Sequence, residues 1–186
     1  MARPRRDSGI VPAKQRLENA FWAMLAEREF AGITIEAICQ RAAVNHNTFY
    51  YYFDNLDQMA AVLVDANLVP ELPRMVLAGL TRDQPRVELL LGDPDLRRRF
   101  ERVQLLLGPH ADQRIHDQLK ASVTQLWLDS LDAKADDQHL RAFVTFVIGG
   151  MLSILGTDDL GDRTQLMAWM ADDFGPIIQT VLNSRA

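Results

Sequence analysis

Residues 46–52, HNTFYYY, carry side chains suited to recognition rather than to catalysis. An asparagine carboxamide such as that of Asn47 pairs two ways with a flat donor–acceptor edge like that of adenine, and a histidine such as His46 donates or accepts. The hydroxyls of Thr48, Tyr50, Tyr51 and Tyr52 suit phosphate-like oxygens. The segment is only about two helical turns long. Consecutive residues on a helix point about 100° apart, so no single buried face accommodates all three tyrosines. Part of that aromatic, hydroxyl-bearing surface must face outward.

The elements that would position these residues are short helices. Thr34 is placed to cap a helix over 34–42, with Ile35, Ile38, Cys39 and Ala42 facing inward. A tight break falls at Ala43-Val44, and Asn45 can cap the helix at 45–52. Two helices of this length with such a turn match a helix-turn-helix, whose second helix presents its first turn to base edges in the major groove. Ile38, Ala42, Val44, Phe49 and Phe53 would hold the pair together. The plain alternative is a helical hairpin with surface tyrosines.

Before it, Leu17, Phe21, Met24 and Leu25 form an apolar stripe in a helix spanning Lys14 to Phe30 and stopped by Gly32. After it, Asn55 with Gln58 three residues on resembles a capping box, opening a helix over 55–69. That helix is expected to be the element touching both the motif and the rest of the chain. Further helices are expected at 71–81, 85–91, 94–107, 112–131, 134–156 and 162–183, cut by Pro85, Gly92, Pro94, Gly108-Pro109, Gly156 and Gly161. The chain reads as all-α, with nine to ten helices.

The helix at 134–156 has no polar face, so outside a membrane it should be buried on all sides. The simplest second partner is another subunit. Phe143, Val147, Ile148 and Met151 on this helix, with Met170, Phe174, Ile178 and Val181 on the last one, are the expected dimer contacts. A central helix in a monomer is the alternative.

Apolar residues make up 48% and charged residues 24% of the 186, which is enough for a core in a globular protein. Cys39 is the sole cysteine, so a disulfide scaffold is excluded. The longest nearly apolar run, 143–155, falls short of the ~18 residues of a membrane span, and a cytoplasmic protein with no membrane partner is expected. The net charge of −5 divides unevenly. Residues 1–53 hold seven Lys/Arg against five Asp/Glu, and residues 54–186 hold 13 against 20. The basic arm of Arg3, Arg5, Arg6, Lys14 and Arg16 suits a polyanion bound at one end of an acidic body. His110, Asp112 and His116 invite a metal reading, but polar residues at a helix start are common, so no metal and no cofactor is expected. No nucleophile-elbow, zinc-protease or phosphate-loop pattern occurs, and no catalytic residues are assigned.

Taken together, Thr34, Ala42-Ala43-Val44 and the run Thr48-Phe49-Tyr50-Tyr51-Tyr52-Phe53 resemble the tetracycline-repressor (TetR/AcrR-type) family of transcriptional regulators. The close likeness covers about residues 14–64; downstream it lies in helix number, length and the apolar penultimate helix. The resemblance implies that Asn45 caps the recognition helix and that His46, Asn47, Tyr50 and Tyr51 face the groove. It makes Thr34, Thr48 and Tyr52 phosphate contacts, with the N-terminal arm adding charge. It implies a DNA-binding domain over 1–64 and an effector-binding, dimerising domain over 65–186. The partners would be a palindromic double-stranded operator, a second copy of the chain and an unidentified small, largely apolar effector that releases the repressor. The alternative is an effector-independent DNA-binding or adaptor protein whose bundle only dimerises. Two positions depart from the pattern. Ala43 replaces a turn glycine, at little cost if φ there stays negative. Leu56 replaces a phosphate-binding lysine, a charge that Arg3, Arg5, Arg6 or Lys14 would have to supply.

Overall fold

In the computed structural model, which describes residues 11–73, 93–134 and 136–157 with 173, 175–178, 180 and 181, the regular elements among the described residues are all helical. They are α1 (Ala13–Glu27), a 3-10 turn (Phe30–Gly32), α2 (Ile35–Ala42), α3 (His46–Tyr52), α4 (Leu56–Asn67), α5 (Pro94–Leu107), α6 (Gln113–Ser130) and α7 (Gln138–Leu155). Seven α-helices and one 3-10 turn fall short of the nine or ten expected. The helix at 85–91, and most of those at 71–81 and 162–183, lie outside the described residues.

Side-chain caps start most of these helices as local chemistry dictates. Thr34 accepts from the Ala37 N–H at 3.1 Å, Asn45 from Thr48 at 2.8 Å and Asn55 from Gln58 at 2.8 Å. Asp93, Asp112 and Asp137 do the same for α5, α6 and α7. The capping box at Asn55 is only half made, because the Gln58 carboxamide oxygen is buried and meets no donor among the described residues. Helix α1 ends at Glu27, three residues before the expected stop. Arg28 is extended, and the Phe30 N–H donates to the His110 carbonyl at 2.8 Å instead of continuing the helix. A tertiary bond, rather than Gly32, sets that boundary.

The main core joins the apolar faces of α1–α4 to Leu106, Ala111, Ile115 and Leu119 of α5, α6 and the loop between them. Helices α4 and α6 run parallel in a fixed register. The Arg114 guanidinium donates to the Asp57 carboxylate at 2.9 and 3.1 Å, and the Ser122 hydroxyl donates to Asp65 at 2.6 Å. Helix α4 is therefore a bridge between the two ends of the molecule, but it is not alone. Helix α1 also packs on α5, and His110 Nδ1 lies 2.9 Å from the Leu25 carbonyl at the end of α1.

A second cluster joins Trp127 and Leu128 of α6 to Leu140, Val144 and Ile148 of α7. The expected burial of α7 on all sides is not met within one chain: 17% of its residues are buried, and Phe146 is 78% exposed. By length and composition α7 could cross a membrane, with a mean hydropathy of 1.4 over 18 residues. Its buried stripe of Leu140, Val144 and Ile148 packs on Trp127 and Leu128 of α6. Ile148 is 2% exposed, so it belongs to this internal stripe and is closed to a partner. Phe143, Val147 and Met151 are half-buried, and Phe143 and Val147 share with Ile178 the wall of a cavity of about 20 Å³. Val181 is half-buried, whereas Met170 and Phe174 lie outside the described residues.

Candidate nucleic-acid interface

The turn between α2 and α3 is built on a strained alanine. Ala43 takes the left-handed conformation, φ 52° and ψ 50°, so the condition under which the missing glycine would cost little is not met. Its N–H donates to the Gln40 carbonyl at 3.2 Å and the Val44 N–H to Cys39 at 3.0 Å, the paired bonds that close a helix through a left-handed residue. A side chain in that region costs roughly 1 kcal/mol that glycine would not. Arg16 of α1 offsets part of this by donating to the Ala43 carbonyl at 3.1 Å. A second tie joins α1 to α2: both Nη atoms of Arg41 meet the Glu27 carboxylate at 2.6 Å. That bond holds the Glu27 carboxyl below its ordinary range. Neither arginine was singled out for this role by the sequence, where only the opposite charges of residues 27 and 41 hint at the pair.

With the turn set, α3 sorts its side chains by face. Phe49 is fully buried and Phe53 nearly so, with ring centroids 5.6 Å apart. His46, Asn47, Tyr50 and Tyr51 are exposed, Tyr51 at 80%. Tyr52 is half-buried against the main core, and its ring meets Tyr51 edge-on at 4.8 Å. The four residues expected to read an edge thus share solvent exposure, while the one apolar residue between them anchors the helix.

The hydroxyls differ in what they have left to give. Thr34 spends a lone pair on its cap and keeps its proton for an outside acceptor. Thr48 donates its hydroxyl to Asn45 Oδ1 at 2.8 Å, the same oxygen that accepts its N–H. Its proton is committed inside the protein, so contact with a phosphate oxygen would require that bond to exchange. Asn45 is exposed, and its Oδ1 is taken up as the cap.

Charge on the described residues around the motif is balanced. Over 11–53, Lys14, Arg16, Arg28 and Arg41 meet Glu18, Glu27, Glu29 and Glu36, four against four. Lys14 lies 3.8 Å from Glu18, so it is partly neutralised. Leu56 packs against the core instead of offering charge, and exposed Asp54 and Asp57 flank it. Surplus positive charge therefore rests on Arg3, Arg5 and Arg6, which lie outside the described residues. Among the described residues no three His, Cys, Asp or Glu gather as a metal site would require. Burial raises the Cys39 thiol above its ordinary pKa, which suits a small core residue rather than a nucleophile.

A family model described as bacterial regulatory proteins, tetR family, matches residues 19–63, from within α1 to within α4. No curated protein matches the chain. Among solved structures, the chain is similar to the TetR family repressor AlkX from Dietzia sp. strain DQ12-45-1b, implicated in biodegradation of n-alkanes. The identity is 14%, over 94% of this chain and 100% of that one, at a TM-score of 0.47. So loose a superposition carries no argument about ligand or operator.

Proposed function

Since the chain belongs to the TetR family of bacterial regulatory proteins through residues 19–63, we propose that it is a ligand-responsive repressor. It would act in the cytoplasm, binding a palindromic operator as a homodimer and leaving it when a small, largely apolar effector binds. The observation that carries the DNA-binding part is the shared exposure of His46, Asn47, Tyr50 and Tyr51 around a buried Phe49 on a helix locked by Asn45 and Thr48. In this reading those four residues meet base edges, while Thr34 and Tyr52 meet phosphates. Thr48 adds its hydroxyl only by exchanging its bond to Asn45. The balanced charge around the motif leaves the salt-dependent part of the affinity to Arg3, Arg5 and Arg6, with Lys14 behind them.

Residues 1–64 would be the DNA-binding unit and 65–186 the sensing and dimerising unit. Support for a homodimer is the apolar face of α7 around Phe146, which no described part of the same chain covers. Response to an effector has physical routes in the Asp57–Arg114 and Asp65–Ser122 bonds and in the His110 contacts to α1, which tie the headpiece to α5 and α6. An effector favouring one arrangement of this joint lowers operator affinity by the ratio of its two affinities, and DNA lowers effector affinity by the same factor. No catalytic role is proposed.

Selection of DNA fragments by the full chain tests the assignment. Asn47→Ala should relax preference at one base pair per half-site, by about 1–3 kcal/mol, without uniform loss across sequences. Recovery of the same sites with the same ranking by wild type and variant would remove Asn47 from the reading set.

A further inference from the structure

Two donors at the junction of α1, α4 and α5 pair with no carboxylate among the described residues. Trp22 of α1 is 5% exposed, and its indole N–H finds no acceptor among the described residues. Arg102 of α5 stands over that indole, its guanidinium carbon 5.1 Å from the ring centroid. Its hydrogen bond is a long one, 3.3 Å from Nη1 to the Asn67 Oδ1. Asn67 is 3% exposed and is oriented by donating its own amide to the Leu63 carbonyl at 2.6 Å, which turns its oxygen towards the arginine.

The neighbouring carboxylates act on Arg102 only from beyond ion-pair distance and form their ion pairs with other residues. Asp95, two turns earlier on α5, is shared by Arg99 at 2.9 Å and Arg98 at 3.6 Å, and Glu18 lies nearest to Lys14. Nor is Arg102 needed to close α4, because Arg99 already donates to the Leu68 carbonyl at 3.1 Å. Burial first, and then the charge of Arg98, press Arg102 towards its neutral form, against the opposing pull of Glu18 and Asp95, neither of which forms an ion pair with it. A half-buried cation beside an unsatisfied buried N–H is costly unless something supplies both charge and acceptors. A cation is excluded by repulsion, and a neutral carbonyl would satisfy the indole but leave the charge. A carboxylate answers both needs, one oxygen for the guanidinium fork and the other for the indole N–H.

We propose that this junction is a binding site for a carboxylate-bearing small molecule, with Arg102 as its counter-ion and the Trp22 N–H and Asn67 setting its orientation. The proposal rests on the ligand-responsive reading above and gives the effector an acidic end. Its place has a consequence, because such a ligand touches α1 of the DNA-binding unit and the end of α4, which bridges to the rest of the chain.

Thermal-shift titration of the full chain with benzoate and octanoate, each against its neutral amide, tests this. At least one acid should raise the melting temperature with concentration while its amide does not. Arg102→Met should abolish the response. Trp22→Phe keeps a ring under the guanidinium but removes the N–H, and should weaken the acid about tenfold. Circular dichroism establishes that the variants fold; should Arg102→Met fail, Arg102→Lys and Trp22→Phe carry the comparison. Acid and amide binding alike, acid binding unchanged in the folded variants, or no response to either acid would overturn the site. Operator affinity measured alongside separates this proposal from the reading beneath it. Acid binding that leaves operator affinity unchanged supports the site and removes the acid as effector. A neutral compound that releases the operator while neither acid binds overturns the site and leaves the ligand-responsive reading standing.

Discussion

Helices α3 and α7 both leave large side chains in solvent, and they do so in opposite ways. On α3, seven residues long, the outward groups are an imidazole, a carboxamide and two phenols, and the single fully buried anchor is Phe49. On α7, 18 residues long, the buried stripe is Leu140, Val144 and Ile148, and the outward surface is led by Phe146 at 78% exposure. Exposed groups that can both stack and hydrogen-bond suit a polar, patterned surface such as a groove of DNA. An exposed phenylalanine has nothing to offer such a surface and gains only by leaving water, so it suits another protein face. The kind of exposure, more than its extent, separates a reading surface from an assembly surface.

The largest effect should come from the anchor that makes the α3 face possible. Phe49→Ala removes a fully buried ring and should cost about 3–5 kcal/mol in chemical denaturation. Tyr51→Ala, at the exposed end of the same helix, should stay within about 0.5 kcal/mol while weakening DNA binding. Equal losses of stability from the two would break the division of faces on α3.

Next is the contrast within α7. Ile148→Asp places a charge in the core and should unfold the chain. Phe146→Asp should leave the fold intact and shift sedimentation from dimer to monomer. A wild-type chain that sediments as a stable monomer at micromolar concentration would remove the assembly role from α7 altogether.

Smaller again is the contribution of the arm. Replacing Arg3, Arg5 and Arg6 by glutamine should weaken all DNA sequences alike and flatten the salt dependence, by about 0.9 in log–log slope for each phosphate no longer neutralised. A change in sequence preference instead would give the arm a share of the reading that has been assigned to α3. The smallest expected effect is at the turn. Ala43→Gly relieves the left-handed strain and should stabilise the chain by roughly 1 kcal/mol at most, because glycine also loses more entropy on folding. A destabilised Ala43→Gly would mean that the alanine methyl contributes more to the α2–α3 packing than its conformation costs.

Much of the headpiece was legible in the amino-acid order because the forces that set it are local. Thr34, Asn45 and Asn55 each bond an N–H three residues ahead, and such a bond depends on little beyond the residue types and their spacing. The outward tyrosines follow from the helical angle and the length of α3. What was illegible depended on residues far apart in the chain. The end of α1 was misjudged because the Phe30 N–H is taken by His110, 80 positions away along the numbering. The idea that α4 alone links the two ends missed the docking of α1 on α5. The inward turn of Ile148 was missed because an all-apolar helix carries no mark of which stripe its neighbour will cover.

Ala43 shows the boundary between the two kinds of knowledge. Its residue type argues for negative φ, yet Val44, Phe49 and Phe53 must reach the core together with α2, and that demand forces the left-handed turn. The sequence by itself determined the short helices around the turn, their caps at Thr34, Asn45 and Asn55 and which residue types α3 shows to solvent, since each depends on contacts within a turn or two. Only the tertiary structure decided the sign of φ at Ala43, the partners of Arg16, Arg41, Arg102 and Arg114, and the buried face of α7. Each of those is set by a side chain or carbonyl brought near from a distant part of the chain, and spacing alone holds no record of it.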